Sequence, residues 1–324
     1  MRNDGVFLTG ATGFVGSHVL RELLAAGFRV RALVRDKGAR LEDCEVVAGD
    51  LEHAGDLTES LRGCRYLVHC AALYSFSPAD RKAMTRINVT ATETLFAAAH
   101  VAGVERAVLT SSSAAVGPAH AQTPATEADY APEGGSGYHA SKLAQERTAV
   151  SSRVPTVVVL PTAPVGPNDH KPTPTGTMIL NFARGRMFAK PPSGGLNLVA
   201  VEDVARAHVS ALRYGNVGER YILGGENLML DEVWEMLSEI TGKPVPRVRI
   251  PTPLLYTIAY VDEMRCFVRR NAEPLAPLEG VRMAQERMFV DSSKAQRELD
   301  FKPGPVRGAL ERAVAWYRDR GYLK

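Results

Sequence analysis

The stretch Leu8-Thr9-Gly10-Ala11-Thr12-Gly13-Phe14-Val15-Gly16-Ser17-His18 decides the reading of this chain. It follows an apolar run that predicts a first strand, and it opens an apolar-periodic segment that predicts a helix. In such a strand, turn and helix, Gly10 allows the tight turn, Gly13 lets backbone N–H groups approach a pyrophosphate, and Gly16 lets the helix lie close to the strand. The dipole at the helix N-terminus favours the anion. Thr12, Phe14 and Val15 complete the turn and join the expected cofactor contacts. A glycine turn with no ligand is the plainer alternative, and the strand before it and helix after it argue against that.

Working outward, residues 5–9 form the first strand, 14–26 a helix ended by Gly27, and 29–34 a second strand, one βαβ unit. The residue ending the second strand of such a unit meets the adenosine ribose, where an acid accepts the 2′-OH and an arginine can accept a 2′-phosphate. Arg35 stands there, which favours NADP, and Asp36 follows at once, which leaves NAD open. Residues 46–48 predict a short third strand, with Asp50 and Leu51 at its end near the adenine, and 56–61 a short helix. A fourth strand, 66–72, ends in Ala71 and Ala72, small enough to leave room for a ligand across the sheet edge. His69 lies inside that apolar run and reads as a hydrogen-bonded core histidine. A long helix, about 79–102, carries Asn88, and a fifth strand, 107–110, ends at Thr110 and enters Ser111-Ser112-Ser113. Strand and helix alternating in this way predict an α/β fold, a Rossmann-type doubly wound parallel sheet.

The 324 residues fit one such unit with a smaller satellite. Hydrophobic residues make up 45% and charged residues 23%, ordinary for a globular chain. A net charge of +3 with scattered Lys and Arg gives no reason to expect nucleic acid. Cys44, Cys64, Cys70 and Cys266 have neither metal-ligand nor disulfide spacing and read as small apolar residues, so no metal is expected. With the glycine motif starting almost at once and no apolar run near the roughly 20 residues of a membrane span, the expectation is a cytoplasmic protein.

Tyr138 and Lys142 are four apart at the start of a predicted helix, so both side chains leave one face. A phenol with an ordinary pKa of about 10 needs help to move a proton near neutrality. A lysine ammonium beside it favours the phenolate, and a serine at the end of the fifth strand can hold a substrate oxygen nearby.

These residues resemble the extended short-chain dehydrogenase/reductases, over essentially the whole chain. The resemblance implies the cofactor turn at Gly10, Gly13 and Gly16 and a catalytic set of Asn88, Ser112, Tyr138 and Lys142, with Ser113 the alternative serine. It implies that Tyr138 is the general acid/base, that Lys142 lowers its pKa and holds the nicotinamide ribose, and that Asn88 positions the lysine through water. Within the family, residues 161–167, 171–176 and 218–227 are similar to the group named hopanoid-associated sugar epimerases; Ala115 departs from the threonine usual there. The implied activity is NADP-preferring interconversion of a secondary alcohol and a ketone, with a nucleotide-sugar epimerase or dehydratase as the alternative. A homodimer and peripheral membrane contact are both compatible with it.

After a sixth strand, 156–160, the Pro- and Gly-rich residues 161–176 read as a loop leaving the sheet edge, with Pro161, Ala163 and Pro164 beside the nicotinamide and the substrate. Residues 181–185 predict a helix, 191–195 a second loop, and 198–200 with helix 202–212 a return to the sheet. In that helix Asp203 reads as a helix-start residue. The expected division is a cofactor domain of 1–163 and 196–225 and a mainly helical substrate domain of 164–195 and 226–324. Helices over 231–240, 254–269 and 306–319 would roof the site. Tyr74, Phe76, Met178, Ile179, Leu180, Phe182, Leu254, Leu255, Tyr256, Ile258 and Tyr260 predict a bulky, apolar small-molecule substrate such as a sterol, hopanoid or other polycyclic lipid. Arg184, Arg186, Lys190 and Arg282 are the residues that could instead neutralise a diphosphate.

Overall fold

The computed structural model describes residues 4–36, 41–52, 56–75, 78–119, 123–132, 137–187, 189–190, 194–268, 278–283 and 285–323. Along the chain the first elements are β1 (Gly5–Thr9), α1 (Phe14–Ala25), β2 (Arg29–Val34), β3 (Glu45–Ala48), α2 (Leu57–Leu61) and β4 (Tyr66–His69). There follow α3 (Arg81–Met84), α4 (Ala91–Val101), β5 (Arg106–Thr110), α5 (Gly137–Val150), β6 (Thr156–Pro161) and β7 (Ala163–Val165). Next come α6 (Pro174–Ala183), β8 (Gly195–Ala200), α7 (Val201–Tyr214), β9 (Arg220–Leu223), β10 (Glu226–Met229) and α8 (Leu230–Thr241). The last are α9 (Thr252–Val268), α10 (Leu278–Met283), β11 (Arg287–Met288), α11 (Ser293–Leu299) and α12 (Val306–Asp319).

Seven strands form a parallel sheet in the order β3-β2-β1-β4-β5-β6-β9. Because the order reverses between β1 and β4, a crevice opens beyond their carboxyl ends. The central strands are apolar and buried on both faces, while the edge strand β3 is largely exposed. Val6, Leu8, Val108 and Val157 meet α1, α7 and α11 on one side. Phe7, Leu67, Leu109 and Val158 meet α2, α4 and α5 on the other. The expected doubly wound sheet is present.

Two expectations need correction. Residues 161–176 are not all loop: β7 lies within them, and α6 starts at Pro174, with Thr173 capping Gly176 N and Pro174 fixing the first turn. Residues 198–200 do not rejoin the large sheet. They belong to β8, which pairs with β7, β10 and β11 in a second, small sheet. Neither pairing can be read from local pattern. Around this sheet α6, α8 and α12 close a separate apolar core that includes Phe182, Trp234 and Tyr317.

The glycine turn is held by close contact. Gly10 has φ of 77°, and a Cβ there would lie 2.7 Å from Ala71 N. A Cβ on Gly16 would collide with the Gly10 carbonyl oxygen. Gly16→Ala should therefore shift α1, lower stability by about 1–3 kcal/mol and abolish dinucleotide binding, as read from the urea midpoint and a fluorescence titration with NADPH.

Candidate active site

A cavity of about 680 Å³ runs from the glycine turn to the small sheet. Its walls include Gly10, Gly13, Phe14, Val15 and Gly16 at one end, Thr110, Ser111, Ser112, Ser113, Tyr138 and Lys142 along the sheet edge, and Met178, Asn181, Leu230 and Trp234 at the other. At the first end α1 has no acidic residue in its first turn, and its N-cap, Gly13, offers backbone alone. Such a cradle suits a pyrophosphate.

Tyr138 is buried, with its hydroxyl hydrogen-bonded to Ser112 and its ring edge-on to Tyr74 at 4.3 Å. Burial pushes its phenol up to about 12, and the Ser112 bond offsets only part of that. Lys142 is 2% exposed. Its Nζ donates to Thr110 O at 2.9 Å and to Gln145 Oε1 at 2.7 Å, and burial brings it down to about 8, against the pull of Glu146. The expectation that Lys142 lowers the Tyr138 pKa is thus not met in this state, because the ammonium is drawn to a backbone carbonyl and an amide and bonds to neither phenol nor serine.

Asn88 is fully buried in a π-helical turn, Thr85–Thr90, which inserts an extra residue between α3 and α4. Its Oδ1 accepts from Leu73 N at 2.7 Å, and its Nδ2 donates to Leu73 O and to Ser141 Oγ. Asn88 therefore fixes the backbone beside Tyr74 and braces α5. Of the two candidate serines, Ser112 is the one bonded to Tyr138; Ser113 lines the cavity with its hydroxyl unpartnered among the described residues.

The groups behind Lys142 are a second layer that sequence reasoning largely missed. Thr92 Oγ1 donates to Asn88 O, so it accepts from Gln145 Nε2 at 3.1 Å and from His69 Nε2 at 2.9 Å. His69 Nδ1 then accepts from Thr9 Oγ1. His69 is the hydrogen-bonded core histidine expected. Gln145, three residues after Lys142 on the same helix, carried a signal in its spacing. Next to it, Ser111 donates to Glu146, which pairs with the buried Arg220. Asp203 sits in the first turn of α7, paired with Arg206 and accepting from Gly304 N, as a helix-start residue does.

Ala72, Tyr74, Pro161, Ala163 and Pro164 line the cavity as expected. Thr12 and Arg35 are exposed outside it, at the crevice edge, and Arg35 has no partner among the described residues. Asp50 accepts from Glu52 N, Leu51 is buried, and Ala71 backs Gly10. The expected apolar lining is only half right. Met178 reaches the cavity, but Ile179, Leu180 and Phe182 are core. The residues of α9 do not roof it: Leu254, Ile258 and Tyr260 are exposed, and neither they nor Leu255 and Tyr256 line it. Only α8 of the three roofing helices contributes, through Leu230 and Trp234, while α12 lies behind in the small core. Phe76 and residues 191–193 lie outside the described residues.

This crevice and its buried Tyr138–Ser112 pair are those of a dinucleotide-dependent oxidoreductase. The NAD dependent epimerase/dehydratase family model matches residues 6–224, and the chain belongs to that family, the extended short-chain dehydrogenase/reductases. It is 41% identical to a putative dihydroflavonol 4-reductase of Synechocystis, over 99% of this chain and 96% of that one. It is 36% identical to sterol demethylase protein B of Methylococcus capsulatus, over 98% and 99%. Among solved structures, a nucleoside-diphosphate-sugar epimerase from Pseudomonas aeruginosa superposes with a TM-score of 0.81 at 25% identity, covering 99% of each chain. Among the described residues no helix is long and apolar enough to cross a membrane.

Burial holds His69 down to about 3 and His208 to about 4, whereas an unfolded histidine titrates near 6.5. Between those values the unfolded chain takes up protons that the folded one refuses, so this part of the stability is lost as pH falls below about 6.5, by up to roughly 1.4 kcal/mol per unit for each group. His208→Gln should flatten the fall in urea stability between pH 7 and pH 5; an unchanged slope would show that His208 is protonated without cost in the fold.

Proposed function

We propose that the protein is an NADP-preferring oxidoreductase that reduces a ketone, or oxidises the matching secondary alcohol, on a bulky apolar substrate such as a sterol, hopanoid or other polycyclic lipid. The observation that carries this reading is the cavity wall: among its described residues Lys142 is the one lysine, and there is no arginine. A diphosphate would need such cations. Those available are elsewhere. Arg184 donates twice to Tyr322 O, Lys190 pairs with Asp231, and Arg186 and Arg282 are exposed away from the cavity. The similarity to a protein named for sterol demethylation supports the same substrate class.

In this reading Tyr138 is the general acid. Its raised pKa keeps the proton on the phenol through the neutral range, the form that donates to a carbonyl oxygen, and Ser112 holds that oxygen beside it. The bound nicotinamide supplies or accepts the hydride. Lys142 has one N–H left after Thr110 and Gln145, enough to hold a ribose hydroxyl. Asn88 holds the backbone at Leu73, beside Tyr74. The glycine turn, with Thr12, Phe14 and Val15, binds the pyrophosphate, Asp50, Leu51, Ala71, Ala72 and Thr110 border the dinucleotide, and Ala163 and Pro164 border the substrate. Residues 1–163 and 196–225 make up the cofactor part, and 164–195 and 226–324 the substrate part, with β8 reassigned to the small sheet.

Tyr138→Phe should lower turnover of a steroid ketone by about 100- to 10,000-fold while leaving NADPH affinity intact. In a parallel titration, tight UDP binding without steroid binding would overturn the lipid substrate and restore a nucleotide-sugar epimerase.

Arg35→Ala should weaken NADPH binding about ten- to a hundredfold by removing charge-assisted bonds to the 2′-phosphate and leave NADH nearly unchanged. Equal affinities of the unaltered protein for the two cofactors would remove Arg35 from this role.

A further inference from the structure

Lys142 is aimed as well as buried. Its Nζ donates to Thr110 O at 2.9 Å and to Gln145 Oε1 at 2.7 Å, and the side chain lines the cavity, so the third N–H is the one left for a ligand there. One acceptor leaves an ammonium free to turn about a single bond, whereas two fix the direction of the remaining proton. The first acceptor is backbone, at the end of β5; the second is a side chain of the same helix as Lys142.

Gln145 is fully buried, at a position where an apolar residue would pack without burying polar atoms. The direction of its amide is set from behind. Thr92 Oγ1 gives its proton to Asn88 O, so it can only accept from Gln145 Nε2, at 3.1 Å, and the amide oxygen is left to face Lys142. A reversed amide would set its own N–H groups against the ammonium. Thr92 and Asn88 are fully buried as well, which holds the series in one arrangement. The ionisable groups around the ammonium do not share this task. Glu146, next on α5, is engaged by Ser111 and Arg220 and supports the charge from a distance. Burial holds His69, at the end of β4, down to about 3, and pushes Cys70 up to about 11 and Tyr138 to about 12, so none of the three is charged near neutrality.

We infer that Gln145 is the positioning residue for Lys142: backed by Thr92, it turns the remaining N–H of the ammonium toward a ribose hydroxyl of the dinucleotide. The inference rests on the reading of a dinucleotide-dependent enzyme and adds to it a residue that acts only through Lys142. The task that the family resemblance gives to Asn88 falls here to a side chain in direct contact with the ammonium, and Asn88 joins it through its carbonyl, by way of Thr92.

The test measures the affinity for NADH, which has no 2′-phosphate to titrate, by fluorescence between pH 6 and pH 10. Of the groups named here Lys142 is the one that changes charge in that range, so affinity should begin to fall as pH rises through about 8. In Gln145→Met, similar in shape but without the acceptor, the ammonium loses one of its bonds. Affinity at pH 7 should drop about tenfold, and the bend in the pH profile should move down by about one pH unit or more. In Gln145→Glu, which keeps an acceptor beside the ammonium, affinity at pH 7 should recover and the bend should move up. A residue that merely fills space would weaken binding equally at every pH, so a bend that stays near pH 8 in Gln145→Met overturns the inference. Should that variant fail to fold, as read from its urea midpoint, Gln145→Glu decides alone, and a bend unmoved there overturns it equally. An unaltered protein that binds neither NADH nor NADPH overturns the dinucleotide reading itself and the inference with it.

Discussion

The site depends on a charged lysine kept almost entirely from water. Bringing Lys142 from its ordinary pKa to about 8 costs the folded chain about 3 kcal/mol at neutral pH. A buried ammonium is tolerated because the Thr110 carbonyl and the Gln145 amide oxygen receive two of its protons and the Glu146 carboxylate lies near. Each of those partners is itself fixed. Thr110 ends a central strand, Gln145 is held by Thr92, and Glu146 pairs with Arg220 inside the protein.

The same polar layer reaches the rest of the site. Through Thr92 it meets Asn88 and His69, and through Ser141 it meets the Tyr138 backbone. The π-helical turn makes this possible, since the extra residue turns Asn88 inward to brace both the backbone before Tyr74 and the start of α5. Buried polar networks of this kind are favourable only when every member is satisfied. The Thr92, Gln145 and His69 side chains meet that condition, with a neutral His69 whose tautomer its two threonine neighbours dictate.

The cavity beyond this layer has a different chemistry. Its small-sheet wall is built largely from methionine, leucine, proline and tryptophan, with Thr175, Asn181 and Asn197 among them, and Arg184 and Lys190 are bonded to backbone or carboxylate instead of lining it. Similarity in fold to a nucleoside-diphosphate-sugar epimerase therefore coexists with a wall whose described residues include one lysine, Lys142, and no arginine. Fold is shared across the family, and the side chains of the wall decide what the cavity can hold.

The sequence by itself determined the large sheet, its glycine turn and the Tyr138–Lys142 pair. These are local: a strand, a turn whose glycines answer backbone collisions, and two residues one helical turn apart leave their period in the chain. Only the tertiary structure decided that β8 joins a second sheet, that Lys142 turns to Thr110 and Gln145, and that α9 leaves the cavity to Trp234, Leu230 and Asn181. Hydrophobic pattern tells that a helix face is apolar but not which surface covers it, so α6, α8, α9 and α12 looked alike as roofing until packing placed them. Met288, on a two-residue strand, reaches the cavity solely because β11 pairs with β8, more than eighty residues away in the chain.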